Sequence, residues 1–285
     1  MKERVSEMIS EKESYEEIVT GSIYNETTIA DQIHTKWAGK TVHFAREIDS
    51  TNLWIKRLAK EGASEGTLAL AEFQSAGRGR LGRSWEVPEG TSVMMSILLR
   101  PKFEPQYAPT LTLVMGMAVA KAVKNLGFDV SIKWPNDVVV SHKKICGILT
   151  EMGVRDGKID YAVIGVGINV NIKEFPEEMA DKATSLYLES GKEFDRSQIP
   201  GLVMEAFEKY YEKFAATCDL SGLKEEYESI LANYNQPVRV LAKEPYEGVA
   251  RGITDGGELL VEKTDGTIVA VSAGEVSVRG LYSYV

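Results

Sequence analysis

Three arginines, Arg78, Arg80 and Arg83, fall within the run Gly77-Arg78-Gly79-Arg80-Leu81-Gly82-Arg83, and Trp85 follows it closely. Guanidinium forks clamp phosphates and carboxylates through paired hydrogen bonds. Glycine lets the backbone come close to a ligand, and an indole offers a flat face on which a base can stack. The chain carries a net charge of −9. A cationic cluster in that setting points to an anionic ligand such as a nucleotide; the plainer alternative is a solvated basic surface loop. The run also spells GxGxxG, but a dinucleotide-binding turn must open a helix so that the pyrophosphate meets the helix N-terminus. Pro88 and Gly90 stand where that helix would run, so the Rossmann reading is rejected.

Three further segments have residue types suited to a site. In Lys133-Trp134-Pro135-Asn136-Asp137, Pro135 fixes the backbone and keeps Trp134 out of the helical region. Lys133 can pair with phosphate, and Asn136 and Asp137 can bond a ligand; the plainer reading is a rigid turn with Trp134 in the core. In Lys143-Lys144-Ile145-Cys146-Gly147-Ile148-Leu149, strand alternation places Lys144, Cys146 and Ile148 on one face and Ile145, Gly147 and Leu149 on the other. Lys144 at the lip of a buried strand suits a carboxylate, or is simply a hairpin-rim lysine. Gly147, like Gly165 and Gly167, sits within an apolar strand, which implies close approach by a ligand or by packed backbone. Asn169 would point its amide to the face of Gly165 and Gly167, where a ribose or phosphate could meet it.

The surrounding pattern supplies the elements that must position these groups. Helices are expected over residues 1–19 and 27–37, the second capped by Thr27 or Thr28, followed by a strand over 41–46. Asp49-Ser50-Thr51-Asn52 is a cluster of N-cap formers opening a helix over 53–61, which Gly62 ends. Strands follow over 67–73 and 92–99, then a helix over 109–126 stopped by Gly127. Further strands are read at 130–133, 138–140, 145–151 and 161–170, the last two joined by the turn Asp156-Gly157, and helices at 197–216 and 220–233. From residue 236 short strands alternate with turn signals, the texture of a small β-barrel of about 50 residues. The division expected is an N-terminal helical extension over 1–40, a catalytic domain over 41–234 and a small β domain over 235–285.

Composition removes other classes. Two cysteines, Cys146 and Cys218, cannot make a disulfide framework, and no CxxC is present. The three histidines, His34, His43 and His142, are scattered, so no protein-built metal site is expected. The N-terminus is charged without an apolar core, and no apolar run is long enough to span a bilayer, so a cytoplasmic location is the default.

Taken in order, Ser50-Thr51-Asn52, Gln74 with Ala76-Gly77-Arg78-Gly79-Arg80, Lys133-Trp134-Pro135-Asn136-Asp137, Lys144-Ile145-Cys146-Gly147-Ile148-Leu149 and Gly165-x-Gly167-Ile168-Asn169 resemble the motif series of biotin protein ligases. The tail Gly274-Glu275-Val276-Ser277-Val278-Arg279 is similar too, and the likeness spans roughly residues 40–285. Any one motif has little weight alone; five in order are specific. The resemblance implies an α+β fold: a catalytic domain with a mixed sheet, related to class II aminoacyl-tRNA synthetases and lipoate ligases, and a small SH3-like C-terminal domain. It implies biotin and ATP as substrates, with Mg²⁺ accompanying ATP, and formation of biotinyl-5′-AMP. Biotin then passes to a lysine of a biotin carboxyl carrier domain of acetyl-CoA carboxylase or a related carboxylase. By carry-over, Ser50, Thr51, Asn52, Gln74, Arg78, Gly79, Arg80, Lys144 and Gly147 would bind biotin. Arg80, Arg83, Trp85, Asn136, Asp137 and Asn169 would serve the nucleotide, and Lys144, Arg80 and Lys133 the chemistry. The alternatives are a lipoate or other acyl-adenylating ligase, and a biotin-responsive regulator. Bifunctional members carry an N-terminal DNA-reading module; here residues 1–40 hold 8 acidic against 5 basic side chains, so DNA binding is not expected. A homodimer is left open.

Overall fold

The computed structural model of the protein describes residues 24–273, the backbone of 277–280, and Tyr284. The helix expected over 1–19 lies outside these residues. In chain order the elements are α1 (Glu26–Ala30), β1 (Val42–Ile48), α2 (Thr51–Lys60), β2 (Leu68–Gln74), β3 (Ser92–Leu99), α3 (Leu111–Asn125), β4 (Val130–Lys133), β5 (Asp137–Val140), β6 (Lys143–Arg155) and β7 (Lys158–Asn169). Then come α4 (Glu177–Ala180), α5 (Leu186–Ser190), α6 (Gln198–Thr217), α7 (Lys224–Ser229), and β8 (Pro237–Leu241), β9 (Tyr246–Ile253), β10 (Leu259–Lys263), β11 (Ile268–Val271) and β12 (Ser277–Gly280).

Seven strands form one mixed sheet in the order β1-β2-β3-β7-β6-β5-β4, parallel only between β1 and β2. Helices cover both faces, which is why every residue of β3, SVMMSILL, is buried and all but Ser92 and Ser96 are apolar. On one face α3 packs against α6 and lies over β4 and β6. On the other, Ile55 and Ala59 of α2 close a small cluster with Ala69, Leu98 and Val163 of β2, β3 and β7. The β6–β7 hairpin turns at Asp156 and Gly157, whose φ angles of 51° and 77° suit the twist of paired strands. Strands β8–β12 make a second, five-stranded antiparallel sheet in the order β11-β10-β9-β8-β12, the SH3-like tail expected. Together the two sheets give the α+β class.

Three local expectations are corrected. The helix expected over 27–37 is a single turn, Glu26–Ala30, capped by Asn25 rather than by Thr27 or Thr28; the Asn25 side chain accepts from the N–H of Thr28. Beyond it the backbone is recruited elsewhere: the carboxylate of Glu208 in α6 accepts from the N–H groups of Lys36, Trp37 and Ala38 at 2.8–3.2 Å. The helix expected over 220–233 shrinks to Lys224–Ser229. Its ends are claimed by tertiary hydrogen bonds, Leu220 N–H to Asp255 O at one side and Ile230 O and Ala232 N–H to Ile132 at the other. The third correction concerns Lys144. The β5–β6 register shifts between Val138 and Val139, which pair with Cys146 and Lys144 and leave Ile145 as an extra residue. A bulge of this kind breaks simple alternation, so Lys144 joins the face of Gly147 instead of that of Cys146. Trp134 is a core residue, 1% exposed, with its indole N–H donating to Gly257 O.

Candidate active site

The N-terminus of α2, the loop after β2, and the middle of β6 and β7 converge on one narrow cavity of about 50 Å³. Ser50, Thr51, Asn52, Gln74, Arg78, Gly79, Arg80, Trp85, Asn136, Lys144 and Gly147 line it, with Ile148, Leu149, Gly165, Val166 and Gly167. Its volume is a few times that of the space one water needs, so a larger ligand requires Trp85 and the loop that carries it to move.

One end is a ring of neutral polar groups. The Thr51 N–H and hydroxyl both donate to Gln74 Oε1, at 2.7 and 3.1 Å. Ser96 lies within hydrogen-bonding reach of Thr51 Oγ1 at 2.8 Å and of Asn52 Oδ1 at 2.6 Å. Asn52 Nδ2 donates to Glu151 Oε2 at 2.8 Å. Buried polar groups of this kind, each fixed by a partner, present defined donors and acceptors to an uncharged polar ring. Glu151 also accepts from Lys56 Nζ at 2.7 Å and lies 3.6 Å from Arg78. Burial works against its charge, yet the bonds from Lys56 and Asn52 win and hold the carboxyl below its ordinary value.

The floor is made of glycines. A Cβ on Gly165 would lie 2.1 Å from Asn52 Oδ1, and one on Gly167 would lie 2.6 Å from the Trp85 ring. One on Gly147 would meet both Trp85 and Lys144, at 2.9 and 3.0 Å. Only glycine permits this approach, which in this structure is made by the side chains of Asn52, Trp85 and Lys144. The Trp85 indole N–H is buried with no hydrogen-bond partner.

The other end is ionic. Lys144 Nζ sits 2.7 Å from Asp137 Oδ1 and 5.3 Å above the Trp85 ring. Arg80 donates to Asn136 Oδ1 at 2.7 Å and to Ala273 O at 2.5 Å, so it ties the loop to the second sheet. Burial lowers the affinity of Arg80 for its proton, with Asp137 opposing that effect. Lys133 is 7% exposed and stacks on Tyr284, 3.4 Å from the ring centroid.

Eleven of the residues expected at the site therefore line one cavity, while Lys133, Asp137, Arg83 and Asn169 do not. Asp137 is one contact away through Lys144. Arg83 is exposed, and its carbonyl accepts from Gly79 N–H to close the loop. Asn169 is buried beside the site: its Nδ2 donates to Thr184 O and its Oδ1 is buried without a partner. Sequence reasoning missed Ser96, Lys56, Glu151 and Tyr284. Ser96 had a signal as a polar residue inside an apolar strand, and Glu151 continues the face of Gly147 and Leu149. Cys146 lies beside these groups, but burial pushes its thiol well above the ordinary value and leaves it an inert core side chain.

Residues 44–169 match the biotin/lipoate A/B protein ligase family, and residues 234–279 match the biotin protein ligase C-terminal domain. The bifunctional ligase/repressor BirA of Bacillus spizizenii is 37% identical over 246 residues, 85% of this chain and 75% of the relative. The biotin–[acetyl-CoA-carboxylase] ligase of Mycobacterium tuberculosis is 30% identical, covering 88% of this chain and 94% of the relative. Among solved structures, the biotin protein ligase from Aquifex aeolicus in complex with biotin and ATP superposes with a TM-score of 0.73 at 33% identity, over 85% of this chain and 99% of that one. With the two matched regions, the shared topology and a relative at 37% identity, the chain belongs to the biotin protein ligase family.

Proposed function

We propose that this protein condenses biotin with ATP to give biotinyl-5′-AMP and pyrophosphate, and transfers the biotinyl group to a lysine of a biotin carboxyl carrier domain. The observation that carries this reading is the division of the cavity into a neutral hydrogen-bonding end at Thr51, Asn52 and Gln74, backed by the buried Ser96, and a cationic end at Lys144 and Arg80. An acid with an uncharged polar ring and a distal carboxylate matches that polarity.

A carboxylate is a poor acyl donor because oxide would have to leave. Attack of the biotin carboxylate oxygen on the α-phosphorus of ATP forms the acyl–phosphate bond and breaks the bond to pyrophosphate. Two anions must meet, so fixed cations lower the barrier. Lys144 would bridge the carboxylate and α-phosphate, with Arg80 and Lys133 on the phosphate side and Arg78 and Gly79 over the junction. Arg83, Trp85, Asn136, Asp137 and Asn169 would hold the nucleotide; the unpartnered Trp85 indole N–H and Asn169 Oδ1 are buried polar atoms that a ligand could satisfy. Mg²⁺ would enter with ATP and screen its phosphates, with Asp137 the carboxylate at that end of the site. The neutral acceptor amine then attacks the acyl carbon and AMP leaves. Because the mixed anhydride hydrolyses readily, closure of the loop over residues 77–85 would exclude water. We read residues 41–234 as the catalytic domain and 235–285 as the accessory β domain, in a protein working in the cytoplasm. Among the described residues no helix is long and apolar enough to cross a membrane.

Radiolabelled ATP with biotin or with lipoate tests the choice of acid: biotinyl-AMP is expected, and lipoyl-AMP alone would refute it. Lys144→Ala should slow both adenylation and transfer by at least about tenfold, as loss of a charge-assisted contact does. Unchanged rates would remove Lys144 from its role.

A further inference from the structure

We propose that Tyr284 is a positioning residue for the ATP half-reaction, acting through Asp137 and Lys133; this rests on the ligase reading above. Tyr284 lies past the matched C-terminal domain, which ends at residue 279. Its hydroxyl donates to Asp137 Oδ2 at 2.6 Å, and its ring carries the Lys133 ammonium 3.4 Å from the centroid. Asp137 Oδ1 in turn accepts from Lys144 Nζ at 2.7 Å and from Asn136 Nδ2 at 3.1 Å, and Asn136 Oδ1 accepts from Arg80. One aromatic side chain thus contacts Asp137 and Lys133 directly, reaches Lys144 and Asn136 through the Asp137 carboxylate, and reaches Arg80 through Asn136.

The physical consequence lies in how Asp137 is held. A carboxylate fixed at both oxygens cannot rotate, so Lys144 is held at one point. A phenol hydrogen bond to an anion is short and strong in a partly dry site, and the ring–ammonium contact limits where the buried Lys133 head can swing. Loss of the hydroxyl frees Asp137 Oδ2, and the Asp137–Lys144 pair loses its fixed geometry. Loss of the ring also removes its contact with the Lys133 ammonium. The neutral end of the cavity, at Thr51, Asn52 and Gln74, touches none of these groups through any hydrogen bond described above, so the contacts expected for the biotin ring stay in place. Biotin affinity, which depends on this cluster only through Lys144 and Arg80 at the carboxylate, should respond less than ATP affinity.

The test compares Tyr284→Phe and Tyr284→Ala with the unaltered protein in biotin-dependent ATP–pyrophosphate exchange, biotin calorimetry and thermal unfolding. Tyr284→Phe is expected to raise the KM for ATP or lower kcat by about tenfold or more, the scale of one hydrogen bond to a charged group. Tyr284→Ala should do so by more, with biotin Kd changed by a smaller factor than the ATP parameters and Tm within a few degrees. Unchanged exchange in both variants overturns the proposal. So does a uniform loss of biotin affinity, ATP affinity and Tm, which marks a merely structural contact. If the unaltered protein shows no exchange with biotin, the ligase reading fails separately. ATP calorimetry then decides for Tyr284: weaker ATP binding in Tyr284→Phe upholds its role, and equal binding overturns it.

Discussion

Gly165→Ala isolates what the glycine floor does. The added Cβ would sit 2.1 Å from Asn52 Oδ1, where ordinary contact begins near 3.4 Å. Backbone in a central strand cannot yield, so the Asn52 amide must shift by roughly 1.3 Å. Two bonds then stretch past hydrogen-bonding range, the 2.6 Å contact with Ser96 and the 2.8 Å bond to Glu151. A neutral bond contributes about 0.5–1.5 kcal/mol net and one to a charged group about 1.5–3, giving a loss of about 2–4 kcal/mol. Alanine recovers about 0.4–1 kcal/mol by restricting the unfolded chain, so Gly165→Ala should cost about 1–4 kcal/mol in urea unfolding. The decisive arm is a double-mutant cycle with Asn52→Ala. Asn52→Ala removes the three atoms nearest the new methyl, all of them in that amide, and the same substitution should then be neutral or stabilising by about 0.4–1 kcal/mol. An equal cost in both backgrounds would refute the reasoning and place the strain elsewhere than on Asn52.

Other outcomes follow from the same contacts. Gly167→Ala should push Trp85 off the floor, since its Cβ would stand 2.6 Å from the ring; amide exchange over residues 77–83 should quicken, and an unchanged exchange pattern would count against the seat. Saturating biotin plus ATP should slow exchange of those same amides, and equal protection with and without both ligands would contradict closure of the loop. Burial raises the carboxyl of Glu208, but the N–H donors of Trp37, Lys36 and Ala38 outweigh it and hold the value below the ordinary one. Its contribution to stability is therefore fully present above the unfolded-state value near 4.5 and is lost as pH falls through the lower folded value. Glu208→Gln should cost more stability at pH 7 than at pH 3, and a cost independent of pH would exclude the carboxylate as the source.

The sequence alone carried the chemistry and most of the strands. Ser92–Leu99 and Val130–Lys133 form at the residues their patterns mark, because burial on one or both faces of a strand is written into side-chain type. The clustering of arginines and glycines around residues 77–83 was equally plain. What failed was local reasoning where distant groups compete for the same backbone. The Glu208 carboxylate claims the N–H groups of residues 36–38 from across the fold, and Ile132 claims Ile230 and Ala232, so two expected helices are cut short. The bulge at Ile145 decides that Lys144 faces Gly147, and a period-two rule cannot foresee an inserted residue. The motif lysines and arginines were legible as a set, yet their assignment to two ends of one cavity depends on the tertiary fold, which brings Asn52, Gln74 and Gly165 together from three elements. Tyr284 lay furthest from any sequence signal. An aromatic residue 147 positions from Asp137 has no periodicity to reveal it, and only the folded chain places its hydroxyl on that carboxylate.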